Sequence, residues 1–206
     1  MPRPFRTKKV LHYYLFNKPH GVLSQFTSEG GLRSLKEFGP FPADVYPVGR
    51  LDADSEGLIL LTNDDFVKHR LADPKFGHPR TYLAQVENKP VETELEMIRK
   101  GIVLGGKQTM PAEVTLLDSE PMLPKRTVPI RFRQNIPTFW IELTLREGKN
   151  RQVRKMTAAI GHPALRLVRT KISFLDLTGL QQGEHRELRK EEIEELRNIL
   201  SNRIVE

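Results

Sequence analysis

The segment Val48-Gly49-Arg50-Leu51-Asp52-Ala53-Asp54-Ser55-Glu56-Gly57-Leu58-Ile59-Leu60-Leu61-Thr62-Asn63-Asp64 carries the most information about the fold of this chain. Its second half, residues 57–62, is a short continuous apolar run, which is typical of a buried strand. Its first half is a loop bounded by glycines that holds three carboxylates and a guanidinium. Loops at the ends of buried strands are held in place by the sheet and often carry functional groups. The segment therefore predicts a polar site beside a sheet.

The elements predicted around this segment mix strands and helices without a regular strand–helix–strand period. The predicted strands span residues 11–16, 57–62, 81–87, 102–104, 113–117, 139–145, 165–168 and 172–175. The predicted helices span residues 32–38, 65–71 after a cap at 63–64, 90–100, 151–160 after a cap at Asn150, and 190–200. This mixture indicates an α+β fold with a mixed, largely antiparallel sheet and flanking helices, in one lobe or in two lobes around a central cleft.

Composition excludes several classes of protein. The chain has 206 residues, of which 38% are hydrophobic and 29% charged, so it is long enough for a buried core and is not disordered overall. No apolar run reaches the ~18 residues of a membrane helix, and the basic N-terminus lacks the apolar stretch of a signal peptide. Because there is no cysteine, disulfides, cysteine zinc sites and thiol nucleophiles are excluded, as suits a cytoplasmic protein.

Positive charge is concentrated in one part of the chain. The whole chain has a formal net charge of +7. Residues 125–171, which we call the basic segment, hold 12 basic and two acidic residues and carry +10. Concentrated positive charge indicates a polyanionic partner, of which nucleic acid is the commonest. The alternative is a solvated basic surface without a partner.

The acidic loop allows more than one chemistry. If the loop is extended, Asp52, Asp54 and Glu56 project on one side at period two and could bind Mg²⁺ for phosphoryl transfer. Alternatively, one aspartate is a covalent nucleophile or base and the other acids are structural. The acids of a solvated turn could also simply cap backbone amides. The spacing alone does not decide between these interpretations.

A second polar cluster is Glu147-Gly148-Lys149-Asn150-Arg151-Gln152-Val153-Arg154-Lys155. Arg151, Arg154 and Lys155 fall at i, i+3 and i+4 of a predicted helix start, which is a good place to bind phosphate. An inward arginine could instead pair with a catalytic carboxylate and fix its charge and geometry. The simplest alternative is a solvated basic face.

Tyr82 is the third candidate, because it lies on the inner face of a predicted strand beside basic residues. A tyrosine ring in that place could stack on a nucleic-acid base. Taken alone, however, such a residue is more often an ordinary part of the core.

Five motifs, in this order, resemble those of the pseudouridine synthases that modify ribosomal RNA. They are residues 17–21 (NKPHG), 48–64, 80–84 (RTYLA), 147–156 (EGKNRQVRKM) and 167–172 (LVRTKI). The resemblance covers about residues 13–180 and is closest to the branch that contains a small-subunit enzyme and its large-subunit relatives. Most members of that branch carry a small RNA-binding domain first. We expect here a basic arm over residues 1–10, one catalytic domain over 11–206 and no separate N-terminal RNA-binding domain.

The resemblance implies a reaction and assigns its residues. A uridine of 23S ribosomal RNA would be isomerised to pseudouridine, by breaking the C1′–N1 bond and rejoining the base through C5. The family's catalytic aspartate falls on Asp52, its tyrosine on Tyr82, and the arginine that pairs with the aspartate on Arg154. Asp54 and Glu56 then become structural. Because nothing is added or removed overall, the resemblance implies no cofactor and no metal.

The resemblance also implies how RNA is bound. Tyr82 would stack on the uracil, and Leu167 would pack on its other side. The residues expected to contact the RNA or its base are Arg50, Arg151, Lys155, Leu167 and Arg169. The expected partner is 23S ribosomal RNA or a precursor particle. We expect the protein to act as a monomer and not to bind a membrane. Two other classes stay open from the residues alone, a metal-dependent nuclease that uses the acidic loop and a non-catalytic RNA-binding protein.

Overall fold

The computed structural model describes residues 9–126, 128–130 and 133–202. Most of the arm expected over residues 1–10 therefore lies outside the described residues. The strands are β1 (Tyr13–Lys18), β2 (Val22–Leu23), β3 (Arg33–Ser34), β4 (Tyr46–Pro47), β5 (Glu56–Thr62), β6 (Arg80–Glu87), β7 (Val103–Leu104), β8 (Lys107–Gln108), β9 (Glu113–Leu116), β10 (Thr138–Leu145), β11 (Ala164–Ile172), β12 (Leu175–Asp176) and β13 (His185–Glu187). The α-helices are α1 (Asp65–Ala72), α2 (Glu92–Lys100), α3 (Gln152–Ala159) and α4 (Lys190–Asn202), and short 3₁₀ helices span Leu35–Phe38 and Pro74–Phe76.

A nine-stranded sheet organises the chain. Its main path runs in the order β13-β1-β5-β11-β6-β10-β9, with β12 paired to β11 and β4 paired to β5. Its pairings are antiparallel except for the one between β5 and β11. This confirms the predicted α+β fold with a mixed, largely antiparallel sheet. The helices of the described residues are too short or too polar to cross a membrane.

The short parallel pairing between β5 and β11 places the acidic loop. Val168 lies opposite Glu56, and Arg169 lies opposite Gly57, so the start of β5 meets the middle of β11. Gly57 has a φ of 105°, and a Cβ atom there would lie 2.2 Å from the carbonyl oxygen of Arg169. Only glycine tolerates both the backbone conformation and the close approach. The loop before β5 is therefore held against β11.

Strand β5 is buried on both faces, as its apolar run predicts. On one face, Leu58 and Leu60 pack with residues of α1 and α4 such as Val67 and Leu196. On the other face, Ile59 and Leu61 pack in a separate cluster with Leu35 and Val45. A third cluster joins β6, β9 and β10 to α2 and α3. The first two clusters lie on the half of the sheet that contains β1 and β5, and the third lies on the half that contains β6, β10 and β9. Residues of both halves line the cavity described below.

The predicted break between residues 165–168 and 172–175 is wrong, because β11 continues through it. The strand runs from Ala164 to Ile172, and only the short β12 follows. Its pairing with β6 shifts register twice, between Ala164 and Arg166 and between Arg169 and Lys171. The two arginines that interrupt the apolar pattern, Arg166 and Arg169, are buried in the strand and donate hydrogen bonds to Glu56 and to the carbonyl oxygen of Leu58.

The predicted cap of α3 is also wrong. The N-cap is Arg151, with a φ of 52°, and not Asn150. No side chain caps the helix start. Instead, the Gln152 side chain accepts a hydrogen bond from the amide of Lys149 at 2.9 Å and donates one to Glu147 at 2.6 Å. These contacts close the turn before the helix.

Candidate active site

A cavity of about 610 Å³ opens where the acidic loop faces strands β6 and β11. Of the predicted site residues, the structure brings six to its lining: Asp52, Tyr82, Arg50, Arg151, Leu167 and Arg169. Arg154 and Lys155 lie outside the lining. The acidic loop and the tyrosine strand, which are distant in the sequence, therefore share one concave site.

The acidic loop is turned and not extended. The amide of Ser55 donates a hydrogen bond to the carbonyl oxygen of Asp52 at 3.0 Å, which closes a tight turn. Asp52 and Asp54 are partly exposed at this turn, whereas Glu56 is buried at the start of β5. The extended loop that would place all three carboxylates on one side is therefore not formed. In the described ranges, no group of three acidic or histidine side chains is placed to hold a metal ion.

Residues 18–24 hold the backbone of the acidic loop on both sides of Asp52. The Ser24 hydroxyl donates to the carbonyl oxygen of Leu51 at 2.7 Å and accepts from the Leu51 amide at 3.0 Å. The Gly21 amide donates to the carbonyl oxygen of Ala53 at 2.7 Å. Sequence reasoning missed Ser24, because one serine at the start of the mixed stretch of residues 24–28 carries no pattern that marks it as functional.

Lys18 is fully buried beneath the same loop. Its ammonium group donates to the carbonyl oxygens of Val22 at 2.7 Å, Pro19 at 3.0 Å and Ala53 at 3.5 Å. Burial lowers the pKa of Lys18 to about 8, although the nearby carboxylates of the loop oppose that shift. The lysine of the NKPHG motif thus supports the loop through backbone carbonyls.

Arg151 binds both aspartates of the loop. Its guanidinium forms two hydrogen bonds to the Asp54 carboxylate, at 3.2 and 2.9 Å, and lies 3.4 Å from Oδ2 of Asp52. Burial acts to raise the pKa of Asp54, but the hydrogen bonds from Arg151 and the charges of Arg154 and Arg151 outweigh it and lower that pKa. Arg151, expected as an RNA contact, is thus already ion-paired inside the site.

Arg154 pairs with Asp54 and not with Asp52, which corrects the pairing that the resemblance implied. Its Nε atom lies 3.4 Å from Oδ2 of Asp54, and its Nη2 atom donates to the backbone carbonyl oxygen of the same residue at 2.9 Å. Its Nη1 atom donates to the carbonyl oxygen of Ala164 at 2.9 Å. In the part of the chain that the structure describes, the ion pair of Asp52 is formed by Arg151. Arg154 therefore ties the loop to β11.

Lys155 points away from this network. The side chain is exposed, and its ammonium group lies 3.4 Å from Oδ1 of Asn150. The basic face predicted for α3 is therefore divided, because Arg151 and Arg154 turn toward the acidic loop while Lys155 faces solvent.

Glu56 forms a buried network on the other side of the loop. Arg166 binds it through two hydrogen bonds of 2.9 Å, and Gln182 donates a third at 2.9 Å. Arg126 lies 3.8 Å from its Oε1 atom, and Arg166 also donates to the carbonyl oxygen of Pro124 at 2.9 Å. The network joins the loop before β10 to β5 and β11. Sequence reasoning missed Arg166, although a glutamate at the start of a buried strand requires a cation or donors beside it.

Tyr82 and Leu167 face the cavity from neighbouring strands. Arg169 of β11 lies opposite Tyr82 of β6, and Leu167 lies opposite Ala84. Residues two apart on a strand point to the same face, so the side chains of Leu167 and Tyr82 border the same space. Asp52 enters this space from the loop. An aromatic ring, an apolar side chain and a carboxylate thus line one space.

Comparisons with known proteins agree with this geometry. Residues 12–159 match the sequence model of the family described as RNA pseudouridylate synthase. A relative from Vibrio parahaemolyticus serotype O3:K6, named ribosomal large subunit pseudouridine synthase E, is 48% identical over 183 residues, which are 89% of this chain and 75% of that protein. The protein of the same name from Xanthomonas axonopodis pv. citri is 51% identical over 168 residues, 81% of this chain and 88% of that protein.

The fold comparison gives the same result. A solved structure described as a pseudouridylate synthase superposes with a TM-score of 0.75 and 30% sequence identity, covering 92% of this chain and 75% of that one. The resemblance found in the sequence motifs is confirmed. The chain belongs to the RNA pseudouridylate synthase family, whose members isomerise uridine in RNA to pseudouridine.

Proposed function

We propose that this chain isomerises a specific uridine of large-subunit ribosomal RNA, and that Asp52 is its catalytic nucleophile or base. The relatives that are 48% and 51% identical carry the name of a large-subunit enzyme, which supports that substrate. The observation that carries the assignment is the position of Asp52, which lines the same cavity as Tyr82 and Leu167 and lies 3.4 Å from Arg151. Asp54 and Glu56, the other two carboxylates of the loop, do not line this cavity.

The reaction breaks the C1′–N1 bond, turns the base and joins C5 to C1′. Asp52 acts in ionised form, either as a nucleophile at the sugar or base or by removing a ribose proton. Arg151 orients its carboxylate, while Ser24 and Gly21 hold the flanking backbone. The proton that leaves C5 is balanced by the proton that N1 takes up. The proposed reaction therefore requires no cofactor and no metal.

Tyr82 and Leu167 would hold the base from its two faces. The target uridine must leave its stack, which costs a few kcal/mol. Stacking on an aromatic ring recovers about 1–3 kcal/mol per base. The hydroxyl of Tyr82 is also a candidate to help remove the C5 proton. The half-buried position of Tyr82 in the cavity wall supports both roles.

The basic segment supplies fewer phosphate contacts than its charge indicates. Arg126, Arg166 and Arg169 are buried or nearly so, and Arg154 is largely buried against Asp54. Arg131 lies outside the described residues. The exposed cations of the segment that the structure describes are Lys125, Arg133, Lys149, Arg151, Lys155 and Lys171. We propose that these side chains, with the exposed Arg50 at the cavity, bind the RNA backbone.

The decisive experiment maps pseudouridines in the ribosomal RNA of a deletion strain. We expect one large-subunit pseudouridine to disappear and to return with the wild-type gene but not with Asp52→Asn. An unchanged pseudouridine map would overturn the proposal. We also propose that the enzyme acts as a cytoplasmic monomer, since its substrate is made there, and sedimentation of the purified chain tests the monomer.

A metal-dependent nuclease is the second candidate, and the same protein tests it. Purified enzyme incubated with the RNA in excess EDTA should still form pseudouridine and leave the strand intact. Strand cleavage that depends on Mg²⁺ would favour the nuclease. A protein that binds the RNA but changes neither base nor strand would favour the non-catalytic alternative.

A further inference from the structure

Two arginines stand side by side on the cavity-facing side of the sheet. Arg80 and Tyr82 are two residues apart on β6 and therefore point to the same face. Arg169 of β11 lies directly opposite Tyr82. All three side chains line the cavity that holds Asp52. Two guanidinium groups thus flank the tyrosine ring.

Neither guanidinium has a carboxylate partner among the described residues. Arg169 is 2% exposed; its Nε atom donates to the carbonyl oxygen of Leu58 at 2.7 Å, and its Nη2 atom is buried without any hydrogen-bond partner. Arg80 donates one hydrogen bond to the carbonyl oxygen of Leu71 at 2.5 Å. Burial lowers the pKa of Arg80, and the positive charge of Arg169 lowers it further, while Tyr82 opposes both effects. Two adjacent buried charges of one sign are costly unless an anion joins them.

The carboxylates that the structure describes around the cavity already have other partners. Glu147, which also lines the cavity, lies 3.1 Å from Nζ of Lys149 and accepts a hydrogen bond from Gln152. Asp52 and Asp54 are engaged by Arg151, and Glu56 is engaged by Arg166 on the far side of the loop. The balancing negative charge must therefore come from a ligand in the cavity. Because the two guanidiniums flank Tyr82, the part of the substrate that they meet is the part that lies against this ring.

We propose that Arg80 and Arg169 form a binding subsite for the pyrimidine ring of the target nucleotide and hold the negative charge that the ring carries during the reaction. This inference rests on the proposed function, with Asp52 acting at the sugar. When the C1′–N1 bond breaks, its electron pair stays on N1 and spreads over the ring oxygens. Meanwhile C1′ is held by a bond to the Asp52 carboxylate. As C5 attacks C1′, that bond breaks and its electron pair returns to Asp52; C5 then loses its proton, and N1 takes one up. Guanidinium hydrogens already in place stabilise such developing charge without reorganisation.

The test separates the chemical step from RNA binding. We would measure the Kd for the RNA and the single-turnover rate at saturating enzyme for Arg80→Gln, Arg80→Lys and Arg169→Gln. Both glutamine variants should lose about 100-fold or more in rate, with Kd within about threefold of wild type. Arg80→Lys keeps the charge and should recover part of the rate. Arg33→Gln, which removes a guanidinium from a surface ion pair with Glu37, is the matched control.

A modified substrate makes the test specific to ring charge. RNA with 5-fluorouridine at the target has a more acidic pyrimidine, which leaves C1′ with less assistance. We define the defect as the ratio of the wild-type rate of C1′–N1 cleavage to the rate of Arg80→Gln. This defect should be at least about tenfold smaller with 5-fluorouridine than with uridine, because the fluorinated ring needs less stabilisation. An equal defect with both substrates would overturn the proposal.

The remaining outcomes are also decisive. The glutamine variants could instead bind RNA weakly, with the slope of log Kd against log salt reduced by about one each, and regain full rate at saturating enzyme. In that case the arginines hold a phosphate and the proposal is wrong. If Arg169→Gln does not fold, the two Arg80 variants decide, since Arg80 is less buried. Failure of the wild-type enzyme to form pseudouridine would instead refute the proposed function, so the two failures are distinguishable.

Discussion

The Ser24 hydroxyl donates a hydrogen bond to the carbonyl oxygen of Leu51 at 2.7 Å and accepts one from the amide of the same residue at 3.0 Å. One side chain thus satisfies both backbone groups of the residue that precedes Asp52. Ser24 and Leu51 are 27 positions apart, and both are buried. The position of the proposed catalytic residue consequently depends on a hydroxyl whose bonds are to the backbone of its neighbour.

Replacing Ser24 with alanine should therefore slow the reaction without weakening RNA binding. Two buried backbone groups would lose their partner, at a cost of about 1–3 kcal/mol each in stability. A displacement of about 1 Å at a reacting group can cost about 100-fold in rate. We expect a lower single-turnover rate at saturating enzyme and an unchanged Kd. Ser28→Ala, which removes only a hydroxyl contact to Ser34 at 3.3 Å, is the control, and equal rates for both variants would contradict the prediction.

Asp52→Asn should abolish isomerisation while the protein still folds and binds RNA. The substitution is nearly isosteric, and loss of a nucleophile typically costs several orders of magnitude in rate. Pseudouridine formed in a single turnover is the measurement. Asp65→Asn, which changes a surface aspartate paired with Lys68, should keep wild-type activity. A rate for Asp52→Asn within about tenfold of wild type would show that another group carries the chemistry.

Arg154 and Arg151 should each affect the chemical step, and Lys155 should not. Arg154→Ala removes the link between Asp54 and Ala164, and Arg154→Lys cannot replace a planar group that binds at three points. Arg151→Ala removes the cation beside Asp52. Lys155→Ala removes only an exposed charge, so high enzyme concentration should restore its rate. If Arg154→Ala is restored as fully as Lys155→Ala, Arg154 is only a phosphate contact.

The buried pair of Glu56 and Arg166 should show strong coupling in stability. Removing one partner leaves an unpaired buried charge, which typically costs about 3–5 kcal/mol. Arg166→Met and Glu56→Gln should therefore each destabilise the protein, and the double variant should be more stable than the sum of both losses predicts. Urea unfolding of the four proteins measures this coupling. Additive losses would show that the two side chains contribute independently.

Lys18 should make the stability of the protein depend on alkaline pH. Its pKa falls from the usual 10.5 to about 8 on folding, so the unfolded chain holds more protons between these two pH values. The unfolding free energy of wild type should consequently rise across this window relative to Lys18→Met, by about 3 kcal/mol. Below pH 8 the lysine is charged in both states and the difference is constant. A difference that stays flat up to pH 10.5 would contradict the burial of a charged group at this position.

Local patterns in the sequence predict the elements but not the pairing of distant charges. The apolar run of β5 and the spacing of Ile193, Leu196 and Leu200 in α4 require burial in any arrangement, so these elements are where the sequence predicts them. The fold class and the cavity residues Asp52 and Tyr82 follow from the same patterns and from the family motifs.

The parts that were wrong depend on contacts far apart in the chain. Three acids and three arginines can pair in several ways, and the choice of Arg151 for Asp52 and Arg154 for Asp54 depends on how α3 meets the loop. The cap at Arg151 likewise depends on side-chain bonds around Gln152 and not on a capping residue. These pairings and this cap depend on the tertiary structure, which cannot be read from the local spacing of residues in a single sequence.

The ion pairs that hold the acidic loop also determine how late in folding the site can form. Asp54 and Arg151 are 97 positions apart, and Glu56 and Arg166 are 110 apart. Contacts of such separation form late, because a long stretch of chain must be ordered before they stabilise anything. During synthesis, the residues up to Thr62 emerge from the ribosome well before their partners in α3 and β11. The nascent chain thus carries the complete acidic loop for much of translation before the arginines that hold the loop have been made.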